Sequence, residues 1–268
     1  MEFEYNMKYV LITGGTSGIG FAMAGEFLER GYGVILASSS RKNLAIAKRK
    51  LEVKKSKIVK STRYIITIEQ DLSVEGGAER LYHKAKTLGV DIEILVNNAG
   101  FGLTGGTESI NIKDDKKMIQ LIVTAPVCLC KLFLRDMYEK GRGKILNVAS
   151  TGAFQPGPYT STYFAGKSFI YSYSRAIRQE AAVRGVVVST LCPGTTRTKF
   201  FEKEGLKTPI WAMSAERTAK IAVDGLMRGR GVIVPGIINN VLRLIPSGIK
   251  MYFVGILKLS LIHISEPT

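Results

Sequence analysis

Short apolar runs rich in β-branched residues alternate along this 268-residue chain with stretches whose apolar residues recur at helical spacing. Such an alternation is typical of βαβ units, which build a parallel sheet covered by helices on both faces. The runs are apolar at nearly every position, as expected of strands buried on both sides. The pattern therefore predicts an α/β fold around one parallel sheet.

Seven strands and six helices are predicted from this pattern. The predicted strands are Lys8–Thr13, Gly33–Ala37, Tyr64–Ile68, Ile92–Val96, Lys144–Val148, Val186–Leu191 and Val232–Val234. The predicted helices are Ile19–Arg30, Arg41–Lys54, Glu75–Leu88, Asp114–Tyr138, Tyr159–Arg184 and Ala215–Arg228. No linker or internal repeat divides the chain, so we expect a single domain over residues 1–258.

The last ten residues, LSLIHISEPT, resemble the conceptual translation of a transposase sequencing adapter. We therefore expect residues 259–268 not to be native and exclude them from the fold prediction. His83 is then the only histidine, which argues against a zinc site or a Ser-His-Asp hydrolase.

Composition narrows the class of protein further. The chain is 46% apolar and 22% charged, which excludes disordered, fibrous and collagenous classes. Three cysteines at positions 128, 130 and 192 form neither a disulfide framework nor a CxxC metal pair. Together with an acidic N-terminus that lacks an apolar signal region, they predict a reducing, cytoplasmic location and no metal.

The net charge of +16 raises the question of anionic partners. The basic run between Lys48 and Lys60 has no interleaved aromatic residues, so we interpret it as a solvated helix face and expect no nucleic-acid binding. No segment has about 18 uninterrupted apolar residues, which argues against a transmembrane helix. The apolar segment Ile237–Lys258 is interpreted as a lid, a contact in a homo-oligomer or, less favoured, an interfacial membrane helix.

A glycine-rich turn, TGGTSGIG at Thr13–Gly20, lies directly between the first strand and the first helix. Glycines permit the tight turn, and backbone N–H groups at a helix N-terminus can hold a pyrophosphate. Glycine turns also occur where they serve packing alone. The position after the first strand favours a dinucleotide site.

Four further segments stand at predicted strand ends. They are Asp71-Leu72, Asn97–Gly100 (NNAG), Ser150 and Pro193-Gly194. In a doubly wound sheet the ligand crevice lies outside the carboxyl ends of the strands, so all of these segments should line one crevice.

Tyr163 and Lys167 are four residues apart on a predicted helix and share one face. An ammonium beside a phenol favours the phenolate, so the tyrosine can act as an acid toward a carbonyl or a base toward an alcohol. The same spacing occurs at Tyr82 and Lys86, where no motif precedes it. The preceding strand-end Ser150 favours Tyr163.

The end of the second strand bears on cofactor choice. An acidic residue there would bond the adenosine ribose, but this chain has ASSSRK at Ala37–Lys42. Hydroxyls and cations such as Ser39 and Arg41 suit a 2′-phosphate, so NADP(H) is favoured over NAD(H). The alternative is a polar turn with a basic helix cap.

These motifs together resemble the short-chain dehydrogenase/reductase family, in order and spacing, over Lys8–Pro235. The resemblance implies a Rossmann-type doubly wound parallel sheet of about seven strands and hydride transfer between NADPH and a carbonyl or alcohol. It implies Ser150 as a hydrogen-bond donor to the substrate oxygen and Tyr163 as the acid/base. Lys167 would bind the nicotinamide ribose and favour the phenolate.

The resemblance also implies the set of cofactor-binding residues. They are Gly14, Thr16, Ser17, Gly18, Ile19, Gly20, Ser39, Arg41, Asp71, Leu72, Asn98, Ala99, Gly100, Tyr163, Lys167, Pro193, Gly194, Thr196 and Thr198.

One position departs from the family pattern. Ile122 stands where many relatives carry an asparagine thought to hold a water in the proton relay. The isoleucine leaves a noncatalytic dinucleotide-binding protein as one alternative. A second alternative, based on the apolar C-terminal segment and the basic surface, is a peripheral-membrane reductase of lipid, steroid or acyl-chain carbonyls. The residues expected to shape a mostly apolar substrate pocket are Phe101, Thr104, Phe154, Gln155, Tyr159 and Trp211.

Overall fold

The computed structural model describes residues 7–55, 65–198 and 212–265. Its strands are β1 (Lys8–Thr13), β2 (Gly33–Ser38), β3 (Ile65–Glu69), β4 (Asp91–Asn97), β5 (Gly143–Val148), β6 (Val186–Leu191), β7 (Thr196–Arg197), β8 (Met213–Ser214) and β9 (Val232–Ile233). Its α-helices are α1 (Gly18–Glu29), α2 (Arg41–Lys55), α3 (Gly77–Lys86), α4 (Ile112–Ile119), α5 (Ala125–Glu139), α6 (Ser161–Ala182), α7 (Ala215–Met227), α8 (Ile237–Leu242) and α9 (Ser247–Ser265).

Seven of these strands form one parallel sheet in the order β3-β2-β1-β4-β5-β6-β9. The chain builds outward from β1 in one direction and then returns to continue from β4 in the other. The boundary between β1 and β4 is thus the point where the strand order reverses, which is where ligands bind in such sheets. The predicted seven-stranded, doubly wound parallel sheet is confirmed. The small β7–β8 pair was not predicted.

Two hydrophobic cores lie on opposite faces of the sheet. On one face α3, α5 and α6 pack over inward side chains such as Leu11 of β1. On the other face α1, α2 and α7 pack over the alternate residues, Val10 and Ile12. Because successive residues of a strand point to opposite faces, an apolar run fills both cores at once.

Two predicted helices differ from the structure near the site. The single helix predicted over Asp114–Tyr138 is interrupted by a π-helical turn, Gln120–Thr124, between α4 and α5. The helix predicted from Tyr159 begins only at Ser161, because Tyr159 adopts a left-handed backbone with φ of 62°.

By length and composition, the continuous helical segment Ile112–Glu139 could cross a membrane. Its apolar residues have a structural role in this fold, since Leu129, Phe133 and Met137 are buried in the core against the sheet. Packing within the domain therefore accounts for the apolar character of α5.

The segment after β9 forms α8 and α9, and Pro246 stands in the break between them. The Lys250 ammonium donates to the carbonyl of Phe154 over 3.2 Å. The segment still leaves ten large apolar side chains exposed: Ile237, Ile238, Val241, Leu242, Leu244, Ile249, Met251, Tyr252, Phe253 and Ile256. The backbone of residues 259–265 continues α9.

Thr13 at the end of β1 offers a test of how the two central strands are held. Its buried hydroxyl oxygen accepts from the backbone N–H groups of Asn98 and Ala99 over 2.9 and 3.0 Å. We expect Thr13→Val to lower the free energy of unfolding by about 1–3 kcal/mol, because both donors lose their acceptor. Urea denaturation measures the change.

Thr190→Val is the matched control. Thr190 is equally buried in β6, but its hydroxyl has no hydrogen-bond partner in the structure. Its replacement should cost nothing, and an equal loss for both variants would contradict the role given to Thr13.

Candidate active site

The glycine-rich turn between β1 and α1 needs its glycines for two reasons. Gly14 and Gly18 have φ of 63° and 55°, in the left-handed region that favours glycine. A Cβ at Gly20 would collide with the Asn98 side chain and the Gly14 carbonyl. The turn is therefore a cradle of backbone: Thr16 precedes the helix, Ser17 is the N-cap, and Gly18, Ile19 and Gly20 begin helix α1.

Asn98 fastens this turn to the end of β4. Its side-chain amide donates to the carbonyls of Thr13 and Gly14 over 3.0 and 3.2 Å. Asn98 and Ala99 of the NNAG motif thus lie directly beside the cradle, as predicted.

The segment after β6 reaches the same edge of the sheet. The N–H of Thr151, next to Ser150, donates to the Pro193 carbonyl over 2.9 Å. The Thr196 hydroxyl donates to the Gly194 carbonyl over 2.9 Å. Further along, a Cβ placed on Gly18 would lie 3.0 Å from the Thr198 methyl, so Thr198 lies against the glycine turn.

The turn after β2 has features of both predicted roles, a helix cap and a site for a 2′-phosphate. Ser40 caps α2, since its hydroxyl accepts from the Asn43 N–H over 3.3 Å. Ser39 and Arg41 are exposed at the start of α2. No acidic residue lies between Gly33 and Glu52, so no carboxylate of this segment neutralises the charge of Arg41.

The two predicted residues after β3 have different roles. The Asp71 carboxylate accepts from the N–H and the hydroxyl of Ser73 over 2.8 and 2.7 Å, which fixes the turn. The Leu72 side chain is buried in the core, so only its backbone is available to a ligand.

Lys167 is the buried charge of the site. Its ammonium donates to the Val148 carbonyl over 2.8 Å and lies 5.7 Å from the centre of the Tyr163 ring. Loss of hydration lowers the pKa of Lys167 to about 8, partly opposed by the Cys192 thiol. An ammonium held this close favours negative charge on the neighbouring phenol oxygen.

Ser150 ends β5 on the same side. Its hydroxyl oxygen accepts from the Gly152 N–H over 3.0 Å and so begins a short 3₁₀ turn, Thr151–Phe154. Because one lone pair is engaged, the hydroxyl is oriented and its hydrogen is available for donation.

Ile122 lies beside this group, in the π-helical turn. It is buried, and its side chain packs on Gly100 and Gly166. A Cβ on Gly100 would lie 3.2 Å from Ile122 and 3.7 Å from the Lys167 nitrogen, so the isoleucine is a close neighbour of the ammonium. The structure thus places Ile122 where the departure from the family pattern was inferred.

A buried polar chain behind the site was missed by sequence reasoning. The Asn97 amide donates to Asn147 over 2.8 Å, and the Asn147 amide donates to Ser174 over 2.8 Å. Cys130 is buried next to both asparagines, and burial raises the pKa of its thiol to about 12. A polar residue inside an otherwise apolar strand, such as the asparagine in KILNV of β5, could have indicated these buried hydrogen bonds.

The predicted substrate pocket is only partly matched. A cavity of about 600 Å³ is lined by Ala153, Phe154, Tyr171, Arg175, Val232 and Arg243. It shares Phe154 with the prediction and contains two arginines where few charges were expected. Phe101, Thr104, Gln155 and Tyr159 do not line this cavity, and Trp211 lies outside the described residues.

Comparison with known proteins agrees with this geometry. The family model for short chain dehydrogenases matches residues 8–209. The very-long-chain 3-oxoacyl-CoA reductase of Mus musculus is 31% identical over 257 residues, which are 92% of this chain and 77% of the mouse protein. The 17-beta-hydroxysteroid dehydrogenase type 3 of Homo sapiens is 30% identical over 250 residues, 90% of this chain and 76% of that protein.

A solved structure is similar as well. A short-chain dehydrogenase from Sphingobium yanoikuyae in complex with NADPH superimposes with a TM-score of 0.79 at 26% identity, covering 86% of this chain and 89% of its own. The chain belongs to the short-chain dehydrogenase/reductase family and is an oxidoreductase of that family.

The site fits the nicotinamide dinucleotide that this family uses. The cradle of residues 14–20 would hold the pyrophosphate through backbone N–H groups, and Asn98–Gly100 and Lys167 would face the nicotinamide half. When bound, the nicotinamide donates or accepts the hydride.

Ile122→Asn tests what the isoleucine does beside Lys167. An amide there can hold a water or bond the ammonium, so we expect kcat to rise modestly across pH 6–9 while the Kd of the dinucleotide stays unchanged. Steady-state kinetics and fluorescence titration measure the two quantities.

Ile122→Val is the control, because it changes volume without adding a polar group. A rise in kcat for the valine variant, or none for the asparagine variant, would contradict a proton-relay effect at this position.

Proposed function

We propose that this protein is an NADPH-dependent reductase that converts a carbonyl on a lipid-type substrate, a 3-oxoacyl chain or a steroid ketone, to an alcohol. The observation that carries the proposal is the Lys167 ammonium, which lies 5.7 Å from the Tyr163 ring and bonds the end of β5 at Val148, two residues before Ser150. The substrate class is supported by the similar 3-oxoacyl-CoA reductases and hydroxysteroid dehydrogenase.

The residues divide the proton chemistry among them. The Ser150 hydroxyl donates a hydrogen bond to the substrate carbonyl oxygen and orients the carbonyl. Tyr163 gives its phenol proton to that oxygen as the carbonyl carbon is reduced, and the nearby Lys167 ammonium stabilises the resulting phenolate. In the opposite direction the phenolate takes the proton of an alcohol.

The preference for NADPH is supported by the turn after β2. Ser39 and Arg41 are exposed where the adenosine ribose of the cofactor would lie, and no carboxylate there would repel a 2′-phosphate. The similar Sphingobium enzyme has NADPH bound.

A membrane surface is a second proposal, and the exposed apolar residues of 237–256 favour it. Ten large apolar side chains crowd into this segment, together with Arg243 and Lys250 and without a carboxylate. An apolar surface that carries cations binds the interface of anionic bilayers. A reductase seated there would take its lipid substrate from the membrane.

Tyr163→Phe tests the reductase itself. The variant keeps the ring and loses the proton donor, so we expect kcat to fall by at least about 100-fold while the Kd of NADPH changes by only a few-fold. NADPH oxidation with 3-oxoacyl thioesters and steroid ketones measures turnover.

The second Tyr-x-x-x-Lys in the chain supplies the control. Tyr82 bonds Asp136 on α5, so Tyr82→Phe should leave kcat unchanged. Wild-type turnover in Tyr163→Phe, or binding of NADPH by the parent without turnover of any carbonyl, would refute the reductase assignment.

Arg41→Ala tests the cofactor preference. Loss of a charged hydrogen bond should weaken NADPH binding by about 1.5–3 kcal/mol and leave NADH binding unchanged. Arg49→Ala, on the same helix α2 and two turns further on, is the control for general loss of charge. An equal loss for both cofactors would contradict the assignment.

Vesicle co-sedimentation tests the membrane proposal. We expect the full chain to bind vesicles containing phosphatidylglycerol and Phe253→Ser to weaken that binding several-fold. Val183→Ser replaces an apolar residue that is more exposed than Phe253 but lies after α6, and it should have no effect. Equal binding by all three proteins would refute a role of residues 237–256.

A further inference from the structure

The arginines of the 600 Å³ cavity come from distant parts of the chain. Arg175 lies on α6 and Arg243 follows α8, and both line the cavity with the rings of Phe154 and Tyr171. The two rings meet edge to face with their centres 5.2 Å apart. A volume of this size is within the range of small-molecule sites.

The two arginines of this cavity, and Lys250 nearby, lie over aromatic rings rather than beside acids. Arg175 lies 5.4 Å from the Tyr171 ring, and Arg243 and Lys250 lie 5.9 and 6.0 Å from the Phe154 ring. Among the described residues, none of these three cations forms an ion pair with a carboxylate.

The sequence explains why the charge is not neutralised. Neither residues 140–179 nor residues 225–265 contain an aspartate or a glutamate. These two stretches supply every residue that lines the cavity. Two arginines that line the cavity without an acid from these stretches leave a positive field in it, which an anion would relieve.

The cavity is close to the reaction centre along the chain. Ala153 is three residues after Ser150, and Tyr171 is one helical turn, about 6 Å, beyond Lys167. Arg175 lies about 18 Å along α6 from Tyr163, so a ligand that bonds Ser150 and Tyr163 at one end needs a flexible arm of about that length to reach it.

We propose that this cavity binds the phosphate groups of a coenzyme A-type acyl thioester through Arg175 and Arg243. Guanidinium groups bind phosphate oxygens in pairs of parallel hydrogen bonds. The inference rests on the proposed reductase function and selects between its two substrate classes, since a steroid ketone carries no phosphate.

Binding is measured first, without turnover. Isothermal titration measures how coenzyme A without an acyl chain binds to the protein saturated with NADPH. The NADPH fills the dinucleotide site, so coenzyme A cannot bind there. We expect Arg175→Gln and Arg243→Gln each to raise the Kd of coenzyme A about tenfold. Arg184→Gln is the matched control, because Arg184 also lies over a tyrosine ring, that of Tyr138, but away from the cavity. Thermal melts of all variants establish that each is folded.

Turnover then tests the connection to the substrate. We expect both cavity variants to raise KM for a 3-oxoacyl-CoA about tenfold, with kcat unchanged. For the same 3-oxoacyl chain on N-acetylcysteamine, which has no phosphate, KM should not change.

The two failures are distinguishable. If coenzyme A binding depends on Arg175 and Arg243, the phosphate site is supported, even if the protein reduces no thioester. A lack of turnover with every thioester refutes the reductase function instead. Reduction of both thioesters with equal changes in KM for all three arginine variants, or coenzyme A binding that none of them alters, refutes the phosphate site.

Discussion

Parallel pairing of the strands imposes the arrangement on which the site depends. When all seven strands run the same way, their carboxyl ends meet at one edge, and every segment that follows a strand begins there. The hydrogen bonds of Thr13 and Asn98 then hold the two central ends, those of β1 and β4, in fixed relation. The cradle for the cofactor and the segment that faces it are thus positioned by the sheet and by one threonine and one asparagine.

The candidate active site adds a buried charge to this arrangement. Burying the Lys167 ammonium is unfavourable, which is why its pKa is lowered, and the Val148 carbonyl compensates only in part. The hydrogen bond to Val148 holds the ammonium where it would stabilise a phenolate on Tyr163. Ile122 packs against Gly100 and Gly166 on one side of Lys167 and brings apolar carbons next to the ammonium.

The net charge of +16 is unevenly distributed over the molecule. On the face of β4 and β5, the cations around Asp91 and Glu93 are paired with carboxylates. At the cavity beside α6 they are balanced only by the faces of aromatic rings. Cations that no carboxylate neutralises, as at this cavity and at Arg41 after β2, are the ones available to an anionic ligand.

Several properties could be predicted from the sequence because they depend on neighbours in the chain. Apolar periodicity determined the strands and most helices, and the glycine turn, NNAG and Tyr163-x-x-x-Lys167 each specify a local geometry that needs no distant contact. Since parallel strands end at one edge, the convergence of these motifs followed as well.

Other properties were decided only by the tertiary structure, because they arise between residues far apart in sequence. The π-helical turn at Gln120–Thr124 and the left-handed backbone of Tyr159 both depart from the regular helix that propensity alone predicts. The contacts of Ile122 with Gly100 and Gly166 depend on how α6 lies on the sheet. Arg175 and Arg243 share a cavity only because α6 and the segment after β9 meet in the fold, and no pattern in the sequence pairs them.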